Sequence, residues 1–99
     1  MGYIYDVNSR KLGHIDDKGI VYDLSERHLG RLSADGHAHD LSGHLIGHVG
    51  SDGKVYENGR WIGSVHPDGS VFDLNGHRIG HSDPPHAEFG GAALLLIIR

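Results

Sequence analysis

A unit of about 17 residues occurs five times in succession, and this repeat limits the folds that the chain can adopt. Its clearest mark is an aliphatic residue followed by a glycine, which recurs at spacings of 17, 17, 16 and 17 residues. These glycines are Gly13, Gly30, Gly47, Gly63 and Gly80. The copies together cover residues 2–82, so most of the chain is built from five equivalent pieces.

Each copy has the pattern of a β-hairpin. In the last copy, Asp73 and His77 enclose three residues ending in glycine, which suits a type I turn followed by a left-handed residue. The fourth copy is one residue shorter and has Asn58-Gly59 instead, the sequence of a two-residue type I′ turn. Both loops place the acid of each copy opposite its base.

The same register predicts which residues share a face of the sheet, because side chains alternate along a strand. It places Val71 opposite Ile79, and it puts the aromatic column beside the glycine column on the other face. A further apolar column falls on the aromatic side, so this pattern leaves the interior face undecided. That column contains Ile15, Leu32, Val49 and Val65.

Asp-Gly turns between the copies make the chain an up-and-down meander of about ten strands. Such a sheet removes its edges by closing into a barrel. We therefore predict an all-β repeat protein in which five hairpins form a symmetric antiparallel barrel. The chain is expected to be one domain, with the hairpins in residues 1–82 and a plug in residues 83–99.

The plug is predicted from the end of the chain, where seven consecutive residues are apolar. They are Ala92, Ala93, Leu94, Leu95, Leu96, Ile97 and Ile98. This run is far shorter than the roughly 20 residues that span a bilayer, so we expect it inside the barrel. A helix is favoured, with Ser82 or Asp83 as cap, Pro84 and Pro85 in the first turn and Arg99 at the end. Because Gly90-Gly91 costs a helix about 2 kcal/mol, an eleventh strand is the alternative.

The composition narrows the classes of function. There is no cysteine, which excludes disulfides and thiolate metal sites. The net charge of −4 argues against general nucleic-acid binding. No signal peptide is visible at the start of the chain, so a cytoplasmic location is expected. Ten histidines make sensitivity to pH, below about pH 6.5, a further hypothesis.

The repeat also resembles a known family. Units of the form Asp-Gly-x-Val-Tyr-Asp-Leu-x-Gly-x-x-Ile-Gly-x-Val, ending in an Ala-Leu-rich tail, are similar to those of the bacterial β-flower family. A barrel around a hydrophobic C-terminal helix also resembles the tubby C-terminal and phospholipid-scramblase-like folds. The resemblance implies a hairpin barrel and, at most, affinity for anionic phospholipid or a similar amphiphile. The β-flower family is described as four-fold, whereas this chain has five hairpins, which suggests a closing role for the first.

A ring of basic residues is the first candidate site, because clustered donors hold phosphate or carboxylate groups. The ring consists of Arg10, Arg27, His44, Arg60 and His77. The competing interpretation is that each base is paired with its own acid across the turn. The acids are Asp6, Asp23, Asp40, Glu57 and Asp73.

Other candidates are weaker. His37 and His39 have the minimal spacing for two metal ligands, but no metal motif accompanies them, and the expectation is that no metal or cofactor binds. Trp61, the single tryptophan, is interpreted as a packing residue. No catalytic set is visible. The sequence thus favours a non-catalytic binding module, with a purely structural or protein-interaction domain, or a histidine-dependent metal or pH response, as alternatives.

Overall fold

The computed structural model describes residues 2–84 and 87–98, which form ten strands and one helix. The elements are β1 (Gly2–Asp6), β2 (Lys11–Ile15), β3 (Ile20–Asp23), β4 (His28–Leu32), β5 (His37–Asp40), β6 (Leu45–Val49), β7 (Lys54–Glu57), β8 (Arg60–Val65), β9 (Ser70–Asp73), β10 (Arg78–Ser82) and α1 (Ala87–Leu96). Every strand is antiparallel to its neighbours, and β1 pairs with β10, so the sheet closes into a barrel. The predicted fold class is confirmed.

The first copy closes the ring with the register used inside it. Tyr5 lies opposite His81 where β1 meets β10, as Tyr22 lies opposite His14 where β2 meets β3. The closing seam repeats one more detail. The hydroxyl of Tyr5 donates to Asp83 at 3.0 Å, and that of Tyr22 donates to Asp16 at the same distance. Closure is therefore a fifth repetition of one strand contact, as five equivalent hairpins require.

The predicted register within the hairpins is wrong beyond the turn. Val71 lies opposite Gly80 and not Ile79, because a β-bulge interrupts the pairing between Arg78 and Gly80. The other four hairpins have a register shift at the equivalent place. An extra residue in one strand exchanges the faces of everything after it. The bulge therefore turns inward the column of residues that lies two positions after each repeat glycine.

Two rings of side chains result and form the wall of the core. The first ring is Ile4, Val21, Ala38, Val55 and Val71, all fully buried. The second is Ile15, Leu32, Val49, Val65 and, in the last copy, Ser82, all buried. The second ring is the column that the sequence placed on the aromatic side. The repeat glycines face the interior. The aromatic column does lie outside, and three of its members face a histidine of the next hairpin. The column consists of Tyr5, Tyr22, His39, Tyr56 and Phe72.

The helix α1 fills the centre, which confirms the helical plug and excludes the eleventh strand. Residues 90–96 are buried, and Ile97 and Ile98 are half-buried against the core beyond the last helical residue. The predicted start of the helix is wrong, because Ser82 belongs to β10, Asp83 and Pro84 precede the helix, and α1 begins at Ala87. Pro85 and Arg99 lie outside the described residues.

Successive residues at the end of α1 contact successive hairpins. A Cβ atom placed on Gly80 would lie 2.7 Å from Leu94, and one on Gly47 would lie 3.0 Å from Leu96. The equivalent distances are 3.1 Å from Gly63 to Leu95 and 3.3 Å from Gly30 to Ile97. Consecutive residues of a helix point in directions about 100° apart, so consecutive side chains reach different hairpins of the surrounding ring. This arrangement explains why the segment is apolar on all sides.

Gly90 and Gly91 allow the start of the helix to approach the wall closely. A Cβ atom on Gly91 would lie 2.6 Å from Val65 and 3.0 Å from Val71. One on Gly90 would overlap the hydroxyl of Ser82. The glycine pair therefore allows the helix to pack closely against β8, β9 and β10. This packing offsets the free-energy cost of two glycines in a helix.

Candidate functional site

The candidate basic ring lies at one end of the barrel. In an up-and-down barrel the five hairpin turns all emerge at one end, and the turns between copies emerge at the other. We call the turn residues of the five hairpins the hairpin rim. It comprises residues 6–10, 23–27, 40–44, 57–60 and 73–77. The structure thus brings all five predicted basic residues to one rim.

The acid of each turn is used first to hold the backbone. Oδ1 of Asp23 accepts hydrogen bonds from the amides of Ser25 at 2.8 Å and Arg27 at 3.0 Å. The same pair of bonds recurs in three other copies, from Asp6, Asp40 and Asp73. The amide of Arg27 lowers the pKa of Asp23, and that of His44 lowers the pKa of Asp40. These carboxylates are therefore anionic parts of the turns.

The second carboxylate oxygen lies near the basic side chain of the same turn. Nε of Arg27 donates to Oδ2 of Asp23 at 3.3 Å, and the contacts of Arg10, His44 and His77 are 3.5 to 3.7 Å. Arg60 lies directly opposite Glu57 in the strand pairing. The juxtaposition of acid and base that the sequence predicts is thus present. Such exposed pairs contribute about 0.2–1 kcal/mol to stability, so they hold the bases only weakly.

Exposure separates the two charges of each pair. The basic side chains at positions 10, 27, 44 and 77 are 78 to 80 % exposed, whereas their acidic partners are 24 to 42 % exposed. The carboxylates are drawn back toward the turn amides, and the basic groups extend beyond them. The rim arginines therefore extend beyond their acidic partners, whereas His44 and His77 are charged only when protonated, and Glu26 of the same rim is itself 70 % exposed.

The rim also carries exposed aliphatic side chains that the sequence reasoning missed. Val7, Leu24, Leu41 and Leu74 follow the acid in four turns and are 50 to 68 % exposed. The fourth hairpin lacks this residue, because its two-residue turn leaves it out. This deletion indicates in the sequence that the residue is exposed, since a position that one copy omits cannot be essential to the shared core.

Trp61 and Leu45 extend the apolar surface on the outer wall beside the rim. Trp61 is 44 % exposed, and its Nε1 donates to the carbonyl of Gly63 at 2.7 Å. The ammonium group of Lys54 lies 5.2 Å from the centre of the indole ring. Trp61 therefore lies on the outside of the barrel and not in its core.

The histidines belong mainly to the outer wall. His14, His48 and His81 stack on Tyr22, Tyr56 and Tyr5 of adjacent strands, with ring centres 4.5 to 4.9 Å apart. These three stacks lie in the seams between neighbouring hairpins.

The two metal candidates also lie on the outer wall. Nδ1 of His37 is 3.0 Å from Oδ1 of Asp35, and the ring centres of His37 and His48 are 5.7 Å apart. His39 lies opposite Arg31, whose positive charge disfavours a metal ion at this position. Within residues 2–84 and 87–98, no group of three or more His, Cys, Asp or Glu side chains is arranged to hold a metal ion.

Comparisons with known proteins add no assignment: no family model, no curated protein and no solved structure matches this chain. In the described part of the chain, no helix has the length and apolar character needed to cross a membrane.

Proposed function

We propose that this protein is a non-catalytic binding module that docks its hairpin rim on an anionic lipid surface. The observation that carries the proposal is the ring of four exposed aliphatic side chains, which alternates with basic residues at the same end of the barrel. Exposed aliphatic groups beside arginines suit an interface where apolar chains lie beneath anionic head groups. The resemblance to the β-flower family and to scramblase-like folds belongs to the same proposal, as does peripheral association from the cytoplasm.

The size of the effect is in the range of reversible binding. Each arginine near an anionic membrane contributes about 1 kcal/mol, so the three on the rim supply about 3 kcal/mol. Half-insertion of the four aliphatic residues adds about 3–6 kcal/mol. The six carboxylates of the rim, of which Glu26 is 70 % exposed, are repelled by the same surface and reduce the total. We therefore expect weak binding that depends on salt and on the anionic lipid fraction.

Vesicle flotation tests the proposal. The protein is mixed at low salt with vesicles of phosphatidylcholine alone or with phosphatidylserine added. We expect flotation only with phosphatidylserine and its loss at high salt. Arg27→Ala combined with Arg60→Ala should abolish most of it, as should Leu24→Ser combined with Leu41→Ser. The matched control is Lys18→Ala with Arg31→Ala, which removes two cations at or toward the opposite end of the barrel and should float normally.

Two outcomes contradict the proposal. Absence of flotation at low salt removes the lipid function and favours the alternative of a structural or protein-interaction domain. Flotation that survives both rim double variants shows that the lipid site lies elsewhere on the barrel.

A further inference from the structure

The helix is not centred in the barrel, and a cavity results at the end opposite the hairpin rim. Gly90 and Gly91 bring the start of α1 against Ser82, Val65 and Val71 on β8, β9 and β10. On the other side, at this end of the barrel, Phe89 extends from the helix toward β2 to β6. Two adjoining hollows of about 270 and 240 Å³ flank Phe89, and both are also lined by Ala34.

The depth of this cavity is apolar and its entrance is acidic. Ile15, Leu32 and Val49 of the inner ring form its floor, and the half-buried Phe89 divides it. Four carboxylates and one ammonium group surround the entrance. They are Asp16, Asp17, Asp35, Glu88 and Lys18.

The carboxylates determine the sign of the field at the entrance. Four negative charges stand against Lys18 and the start of the helix, which contributes about half a positive charge. Burial raises the pKa of Asp16, but hydrogen bonds from the Ile20 amide and the Tyr22 hydroxyl outweigh it and leave the pKa lowered. Hydrogen bonds from Ser33 and His37 hold the pKa of Asp35 well below its usual range. The entrance therefore carries a net negative charge at neutral pH.

We propose that this cavity binds a small amphipathic cation, with its apolar body in the hollows beside Phe89 and Ala34 and its ammonium group among the entrance carboxylates. The volume suits such a ligand, since a cavity of about 150 Å³ holds one benzene molecule. A phenyl ring with a short alkyl chain fills the larger hollow. This inference stands apart from the lipid function, because it uses the opposite end of the barrel.

Three probes of one shape and different charge test the proposal. They are 4-phenylbutylamine, 4-phenylbutanol and 4-phenylbutyrate, titrated at neutral pH while amide chemical shifts are followed by NMR. We expect the amine to bind best, the alcohol more weakly, and the carboxylate about tenfold more weakly than the amine or not at all. Shifts should concentrate at residues 15–19, 32–36, 49–51 and 88–89.

Variants separate this cavity from non-specific binding. Ala34→Phe adds a ring at a position common to both hollows and should abolish binding of the amine. Pro67→Phe places the same ring at the equivalent turn position next to β9, away from the cavity, and should leave it intact. Glu88→Gln should weaken the amine about threefold and leave the alcohol unchanged.

Several results would overturn the inference. They are no saturable shifts with any probe, equal affinity for all three charges, or amine binding that persists in Ala34→Phe while that variant remains folded by its amide spectrum.

Discussion

Substituting Gly91 by alanine has two opposite effects on the stability of the protein. Which effect is larger depends on how closely the helix approaches the wall of the barrel. Alanine is favoured over glycine inside a helix by about 1 kcal/mol, so the sequence alone predicts a more stable protein. In the barrel, the new Cβ would lie 2.6 and 2.8 Å from the two γ-carbons of Val65. Favourable carbon contacts are about 3.5–4.0 Å, so each contact is roughly 1 Å too short.

The steric effect should dominate. Overpacking a core costs about 1–3 kcal/mol, and the closed barrel around α1 limits how far the helix can retreat. After subtraction of the gain in helix propensity, we expect Gly91→Ala to lower the free energy of unfolding by up to about 2 kcal/mol. For a chain of this size, each kcal/mol lowers Tm by about 4–8 °C.

Urea and thermal unfolding of a double-mutant cycle with Val65→Ala measure this effect. Removing the γ-carbons of Val65 relieves the two shortest contacts of the new methyl group and leaves the one of 3.0 Å to Val71. In that background Gly91→Ala should therefore be close to neutral, because the remaining contact offsets the gain in helix propensity. Stabilisation by Gly91→Ala in the otherwise unchanged protein would refute the close contact between helix and β8.

Three further outcomes are expected. Leu95→Asp places a carboxylate in an apolar interior and should prevent folding, as seen by loss of amide dispersion; normal folding would contradict the plug. Ser82 Oγ is buried without a hydrogen-bond partner among the described residues, so Ser82→Ala should raise the free energy of unfolding by about 1 kcal/mol; a decrease would reveal a missed partner. The pKa values of Asp23, Asp40 and Asp68 are lowered, chiefly by hydrogen bonds from backbone amides. These acids therefore bind protons more readily in the unfolded chain, and their contribution to stability should be lost only as pH falls below about 4. Thermal unfolding between pH 7 and 2 checks this, and a fall already complete by pH 5 would assign acid sensitivity to the histidines instead.

The repeat predicted the fold because its signals are local. Turn residues fix each hairpin: Asn58 and Gly59 both have positive φ, as a type I′ turn requires. Gly76 supplies the left-handed residue of the longer turn, with φ of 81°. The closure of the ring and the central helix then follow from the need to cover strand edges and apolar side chains.

The register could not be obtained in the same way. Leu12 and Gly13 are adjacent in their strand, so only one of them can face the interior. A strand without a bulge places Leu12 inside, and a strand with a bulge places Gly13 inside. A Cβ atom on any of the five repeat glycines would lie 2.1 to 2.5 Å from a carbonyl oxygen of the neighbouring hairpin, and on four of them it would also lie within 3.3 Å of a side chain at the end of the helix. Both contacts reach beyond the hairpin that contains the glycine, so hairpin periodicity does not contain them.

The candidate site was also predicted only in part. The basic ring follows from the turn columns, since residues at equivalent turns must reach one end of the barrel. The exposed aliphatic residues were missed because apolar character usually indicates burial, and Leu41 is 68 % exposed. The cavity beside Phe89 depends on the off-centre helix, which is a property of packing and not of the repeat.

The contact between the helix and the repeat glycines tests the account most directly. In an NMR spectrum of the whole protein, we expect nuclear Overhauser effects from the methyl groups of Leu94, Leu95 and Leu96 to the α-protons of Gly80, Gly63 and Gly47. Each methyl should select its own glycine. Absence of these three signals in the folded protein, or methyl contacts confined to the outer wall, would contradict a barrel built around its own C-terminal helix.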